Sequence, residues 1–311
     1  MKKKELSDKT LITYNAVING ILRDAKIDDD DDGDWIKKHW DKILDVIESS
    51  KSVHSKKNRY AVLKVWCDLH NLPEKYADEL QERIDELTKN INDNYSTNVK
   101  SEKIEKNWVS VQELKSTLEI LRGKVLPAEA IDTYNEYRAL VKYLMLLIHI
   151  QMPLRNDLAC AKIYLSSDNS GEKRDKSINQ IIINKTKKTG QLILNDYKTS
   201  TTYGSKLLEI PTDITKELIK WYPVIIRMSP HRWLIPDRDD LDKCISRVTY
   251  TKLFNSIFED SGKKVSTTQI RRTIVSDLYK VDADEYKKKE ELANVMSHSV
   301  STAGKVYAKA N

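Results

Sequence analysis

The chain has 311 residues, enough for two domains with a sizeable core in the larger one. Its 40% apolar and 32% charged residues describe a soluble, highly charged globular protein. The most apolar run, residues 139–150, is interrupted by Lys142 and is shorter than the ~20 residues a bilayer span needs, so it reads as a buried helix. The net charge of +6 is uneven: residues 1–95 hold 17 Lys/Arg against 20 Asp/Glu, and residues 96–311 hold 36 against 27. A basic surface suits a polyphosphate partner. The start, Met1-Lys2-Lys3-Lys4-Glu5, is charged with no apolar stretch after it, so no secretory leader is expected. Cys67, Cys160 and Cys244 form no CxxC pair and no zinc spacing; they read as three reduced core thiols of an intracellular protein.

In chain order, Ser7 caps a first helix in which Leu11, Tyr14, Ile18, Ile21 and Leu22 recur at helical spacing. Six aspartates and a glycine over residues 28–34 cannot pack and read as a solvated loop; the later glutamate of a calcium loop is missing. Residues 36–47 and 57–70 give two more amphipathic helices, and Pro73 opens a fourth over 74–91. Residues 96–107 are polar and lack a hydrophobic period. They divide a helical domain, residues 1–95, from a second domain, residues 108–311. There the spacing predicts a capped helix from Ser110 and a long helix over 131–150. The period then changes. Residues 179–184, 190–196 and 206–210 read as strands, the first pair joined by the turn Lys187-Lys188-Thr189-Gly190. Helices resume over 212–221, 246–259, 267–279 and 287–296. The fold class expected is α+β: mainly helical with a small antiparallel sheet.

The chemistry concentrates near the end. His298, in Met296-Ser297-His298-Ser299, is followed nine residues later by Tyr307. A tyrosine hydroxyl, with a pKa of ~10, is a weak nucleophile that needs cations to stabilise its phenolate and a phosphorane-like transition state. Arg155, Lys198 and Arg271 supply them, each in its own local setting.

The order Arg, hairpin Lys, Arg, His, Tyr resembles the catalytic domain of tyrosine recombinases, the phage-integrase family. Pro153-Leu154-Arg155-Asn156-Asp157-Leu158 is similar to the first arginine box. Tyr197-Lys198-Thr199-Ser200 stands where the family places its lysine, and Thr268-Gln269-Ile270-Arg271-Arg272-Thr273 is similar to the second arginine box. The likeness covers roughly residues 108–311. Residues 7–90 resemble the family's helical, SAM-like core DNA-binding domain in pattern only. The wording of the boxes also resembles that of recombinases of large eukaryotic DNA viruses and virophages.

The resemblance implies a site-specific recombinase or integrase that cuts and rejoins DNA through a 3′-phosphotyrosine intermediate. Arg155 and Arg271 would clamp the scissile phosphate with His298, Lys198 would protonate the leaving 5′-oxygen, and Tyr307 would attack. It implies double-stranded DNA as partner, a homo-oligomer (a tetramer on two DNA sites), no membrane, no cofactor and no metal, with the protein acting wherever its target DNA lies. Lys187 and Lys188 in the turn, and Lys56, Lys57 and Arg59 in the first domain, are the candidate DNA contacts.

The chain departs from the family pattern at three places. Thr268 stands three residues before the second arginine, where the family has His or Lys. The acidic residue after the first arginine, Asp157, is two positions on rather than three. Arg272 follows Arg271 directly, and with Thr268 and Asp157 it is an auxiliary candidate. The rival readings are a type IB topoisomerase, which shares this catalytic set, and a non-catalytic DNA-binding protein that keeps the fold.

Overall fold

A computed structural model describes residues 8–28, 35–96, 99–167 and 175–279. The described residues divide into two compact units that change over between Val99 and Lys100. Residues 29–34 of the acidic run, the helix expected over 287–296, His298 and Tyr307 lie outside the described residues.

The first unit is helical: α1 (Asp8–Ala25), α2 (Trp35–Lys38), α3 (Trp40–Glu48), α4 (Val53–Leu69) and α5 (Glu74–Ser96). Ile18, Ile21 and Leu22 of α1 meet Ile43 and Ile47 of α3 and Tyr60 and Leu63 of α4 in one core. The single helix expected over 36–47 is two: the backbone of His39 leaves helical geometry, at φ −126° and ψ 25°, between α2 and α3. Helix α4 starts earlier than its apolar period suggests, because the Ser52 side chain accepts the Ser55 amide and caps it.

The second unit is α+β. Its helices are α6 (Glu102–Lys106), α7 (Val111–Lys124), α8 (Tyr134–Gln151), α9 (Ser200–Tyr203), α10 (Thr212–Met228), α11 (Arg247–Asn255) and α12 (Thr267–Tyr279). Its strands are β1 (Ala161–Leu165), β2 (Asn179–Asn184), β3 (Thr189–Leu194) and β4 (Lys206–Ile210). Part of the polar stretch 96–107 is thus helix. Asn107 also belongs to the unit's frame, its side-chain oxygen accepting the Lys264 amide at 2.7 Å. Capping boxes start both long helices, Ser110 with Glu113 in α7 and Thr133 with Glu136 in α8.

Helix α8 is buried at every position from Tyr143 to His149, while Arg138 in its first half is exposed, and α7, α10, α11 and α12 pack against it. The sheet, in order β1-β2-β3-β4, lays Ile163, Ile181, Ile183, Leu192 and Leu194 into the same core. Strands β2, β3 and β4 are antiparallel, but β1 runs parallel to β2, so the sheet is mixed and not purely antiparallel. Gly190 lets α10 approach β3: a Cβ there would stand 2.7 Å from Thr215 Oγ1 and 3.2 Å from Ile210 Cβ.

Two of the three cysteines are not free thiols, contrary to the sequence expectation: Cys160 and Cys244 form a disulfide across 84 residues, while Cys67 is free and buried. The pairing depends on a tertiary contact. Residues 232–234 run beside β1, with Ile163 N–H donating to Arg232 O and Leu234 N–H to Ala161 O, each at 2.8 Å. A bridge between Pro236 and Cys244 then returns the chain to Cys160. Burial pushes the Cys67 thiol up to about 12. No helix among the described residues is long and apolar enough to cross a membrane.

Candidate active site

Arg155 lies just after α8, in a turn that continues into the 3-10 segment Asn156–Leu158 and then β1. His149, near the end of α8, anchors this turn from below. It is fully buried, its Nδ1 2.8 Å from Met145 O and its Nε2 3.3 Å from Arg155 O, with the Phe254 and Tyr250 rings beside it. Burial holds its pKa below the ordinary histidine value, and the nearby Arg271 guanidinium acts in the same direction.

Asp157 is the charged centre of the turn. Its carboxylate is buried and accepts the Arg155 backbone N–H at 3.2 Å. Burial raises its pKa, while the charges of Arg247, Arg155 and Arg271 oppose that rise. Three guanidinium groups from three separate elements are therefore within electrostatic reach of one carboxylate. Its place two residues after the arginine, where the family spacing is three, does not keep it from this position.

Residues 268–273, likened above to a second arginine box, lie in the first half of α12. Thr267 is buried and its hydroxyl bonds Asn156 Oδ1 at 2.8 Å, which fixes the start of α12 to the Arg155 turn. Arg271 is half-buried and senses both Asp157 and His149, whereas Arg272 is exposed. The two adjacent arginines, which the sequence told apart only by alignment with the box, thus differ in burial. Thr268, the departure from the family pattern, is exposed; its neighbour Thr267 makes the inward contact.

Lys198 is exposed in the segment between β3 and α9. That segment is tied to the arginine turn by Asn179, which is 2% exposed. The Asn179 amide donates to Asp157 O at 2.7 Å and to Asp196 O at 2.9 Å, and its oxygen accepts the amides of Asn195 and Asp196. Tyr197 closes the far side through its hydroxyl to Gly204 O at 2.9 Å.

Arg247, Asn156, Asn179 and His149 were not singled out by sequence. Asn156 donates to Thr251 Oγ1 at 2.8 Å and to Arg247 O at 3.4 Å, joining α11 to the turn. The Arg247 guanidinium reaches Asp196, at 3.1 Å from its carbonyl and 3.2 Å from its carboxylate. The only sequence signal for these residues was weak: Asn179 opens a strand, and Arg247 follows the Ser246 cap.

Of the candidate DNA contacts, Lys187 and Lys188 stand exposed at the tip of the β2–β3 turn, with Lys188 in the left-handed region at φ 53°. In the first unit Lys56 pairs with Glu48 at 2.8 Å and Arg59 with Asp24 at 2.6 Å, joining α4 to α3 and α1; Lys57 is half-buried. No group of His, Cys, Asp and Glu among the described residues is arranged to hold a metal ion. No protein-family model matches the chain, and the curated proteins contain no significant match to it.

Proposed function

We propose that the chain is a DNA strand transferase of the tyrosine-recombinase kind, cutting and rejoining DNA through a covalent tyrosyl intermediate. One observation carries the reading. Arg155 and Arg271, far apart in sequence, lie within reach of the same buried Asp157, and Asn179 ties the segment bearing Lys198 to that turn. Packing alone does not require arginines from separate elements to act on one carboxylate, or a buried amide to tie the lysine-bearing segment to the same turn.

In this reading the two guanidinium groups bind the non-bridging oxygens of the scissile phosphate, to which planar forks are suited. They offset the charge that builds up as the phosphorus becomes five-coordinate. Asp157 anchors the Arg155 backbone and offsets the charge of the arginines without touching DNA. The Tyr307 oxygen attacks the phosphorus and loses its proton, and the bond to the 5′-oxygen breaks. Lys198 gives that oxygen its proton. His298 adds a hydrogen bond to the phosphate. Attack by a 5′-hydroxyl on the tyrosyl phosphate reverses these steps and reseals the strand, so one phosphodiester replaces another and no nucleotide is consumed. Lys187 and Lys188 contact backbone phosphates.

The test uses nicked duplexes of randomised sequence, 5′-labelled on the strand that retains the 3′-phosphate, run on a denaturing gel with excess chelator. A labelled band at the mass of protein plus oligonucleotide is expected. Retention of duplex without any such band would identify a binding protein that has kept the fold.

A further inference from the structure

We propose that Arg247 is a positioning residue for Lys198, acting through Asp196; the functional half of this inference rests on the strand-transfer reading. The segment from Asn195 to Thr199 leaves the sheet after Leu194 and enters α9 at Ser200. Lys198 lies in it with an exposed side chain and, in this reading, must deliver a proton to one particular oxygen. A lysine has a long, flexible stem, so the backbone beneath it must be held. A displacement of about 1 Å in a catalytic group can cost on the order of 100-fold in rate.

Two grips hold that backbone. The buried one is Asn179. The other is Arg247, the first residue of α11, whose Nη2 lies 3.1 Å from Asp196 O and 3.2 Å from Asp196 Oδ2. Arg247 is itself fixed on the opposite side. Its carbonyl accepts Asn156 Nδ2, in the turn that bears Arg155, and the Cys160–Cys244 disulfide ties the approach to α11 to the start of β1. Arg247 thus spans the distance between the segment bearing the proton donor and the turn bearing the first phosphate clamp.

Stability does not account for this contact. Both side chains are about half exposed, 49% for Arg247 and 59% for Asp196, and exposed ion pairs contribute little to folding. What the contact supplies is direction: one nitrogen, Nη2, faces two oxygens of one residue, and the planar guanidinium that bears it is stiffer than a lysine ammonium on its stem.

The experiment is single-turnover cleavage of two suicide duplexes, one with an ordinary scissile phosphodiester and one with sulfur at the 5′-bridging position. A thiolate leaves without being protonated, so the second substrate does not need the proton donor. On the ordinary duplex Arg247→Ala should be slowed on the order of tenfold or more, and Arg247→Lys by less. On the sulfur duplex Arg247→Ala and Lys198→Ala should both approach wild type. Arg247→Ala combined with Asp196→Ala should be no slower than the worse single variant, and amides 196–199 should exchange hydrogen faster in either.

Equal slowing on both duplexes, with weaker DNA binding, would make Arg247 a phosphate contact and overturn the inference. So would additive effects in the double variant, or unchanged amide exchange. If wild type cleaves and Arg247→Ala cleaves identically, only the inference falls. If wild type forms no adduct with either duplex, the strand-transfer reading falls and takes the role of Lys198 with it.

Discussion

The hydroxyl of Thr267 lies 2.8 Å from the side-chain oxygen of Asn156, across 111 residues, and joins the helix that carries Arg271 to the turn that carries Arg155. The same asparagine holds α11 through Thr251. Two guanidinium groups can act on one phosphate only if the elements bearing them keep their spacing, and this contact sets that spacing directly.

Thr267→Val should therefore cost about 1 kcal/mol of stability, the scale of one buried hydrogen bond, and should slow cleavage more than that loss suggests. Thr268→Ala, at an exposed position, should fold like wild type and cleave nearly as fast. Thr268→His or Thr268→Lys should equal or exceed wild type, because a charged donor stabilises a phosphorane more than a hydroxyl does. Single-turnover rates with DNA affinity measured separately check the set. If Thr268→Ala is as inactive as Arg271→Ala, the exposed threonine touches the phosphate after all.

Asn179 separates shape from hydrogen bonding. Asn179→Ala leaves two carbonyls and two amides without their partner and should destabilise the second unit by roughly 3 kcal/mol. Asn179→Asp has nearly the same shape but sets a carboxylate oxygen against the carbonyls of Asp157 and Asp196, so it should be at least as damaging at neutral pH. Urea denaturation with an unchanged m-value is the measurement. A harmless Asn179→Asp would mean that the amide's donors do not hold the segment.

Much of this architecture was legible in the sequence. Strands β2 and β4 and helix α12 have the expected limits, because period-2 alternation and the apolar spacing after Thr267 are local signals. Strand β1 was missed: it follows the arginine turn immediately and owes its edge partner to residues 232–234, far along the chain. The Cys160–Cys244 pair was hidden for the same reason. Arg155, Lys198 and Arg271 were singled out by their motifs, whereas Asn156, Asn179 and Arg247 act through tertiary hydrogen bonds. Polar residues of that kind carry no periodicity.

His149 makes the second unit sensitive to acid. Its folded pKa is depressed below 6.5, so between that depressed value and 6.5 the unfolded chain binds the extra proton. This contribution is fully present above pH 6.5 and is lost as the pH falls through that window. The buried Asp157, with its raised pKa, works in the opposite direction near the carboxylate range. Stability should thus decline on going from pH 7 to pH 5.5 in wild type, and more gently in His149→Gln, whatever that variant's absolute stability. Identical slopes in the two proteins would show that His149 is not buried in its neutral form.

In the proposed reaction Tyr307 becomes joined to the 3′-phosphate of a cut strand. Tyr307→Phe removes one oxygen and no charge, so it should bind nicked duplex as wild type does and form no adduct that survives denaturation. The most direct measurement is the denaturing gel of wild type and Tyr307→Phe on the same labelled nicked duplexes, followed by mass analysis of the peptide bearing the nucleotide. Wild type alone should form an adduct, carried by the peptide containing Tyr307. An adduct of equal yield in Tyr307→Phe, or a nucleotide on any other residue, would contradict it.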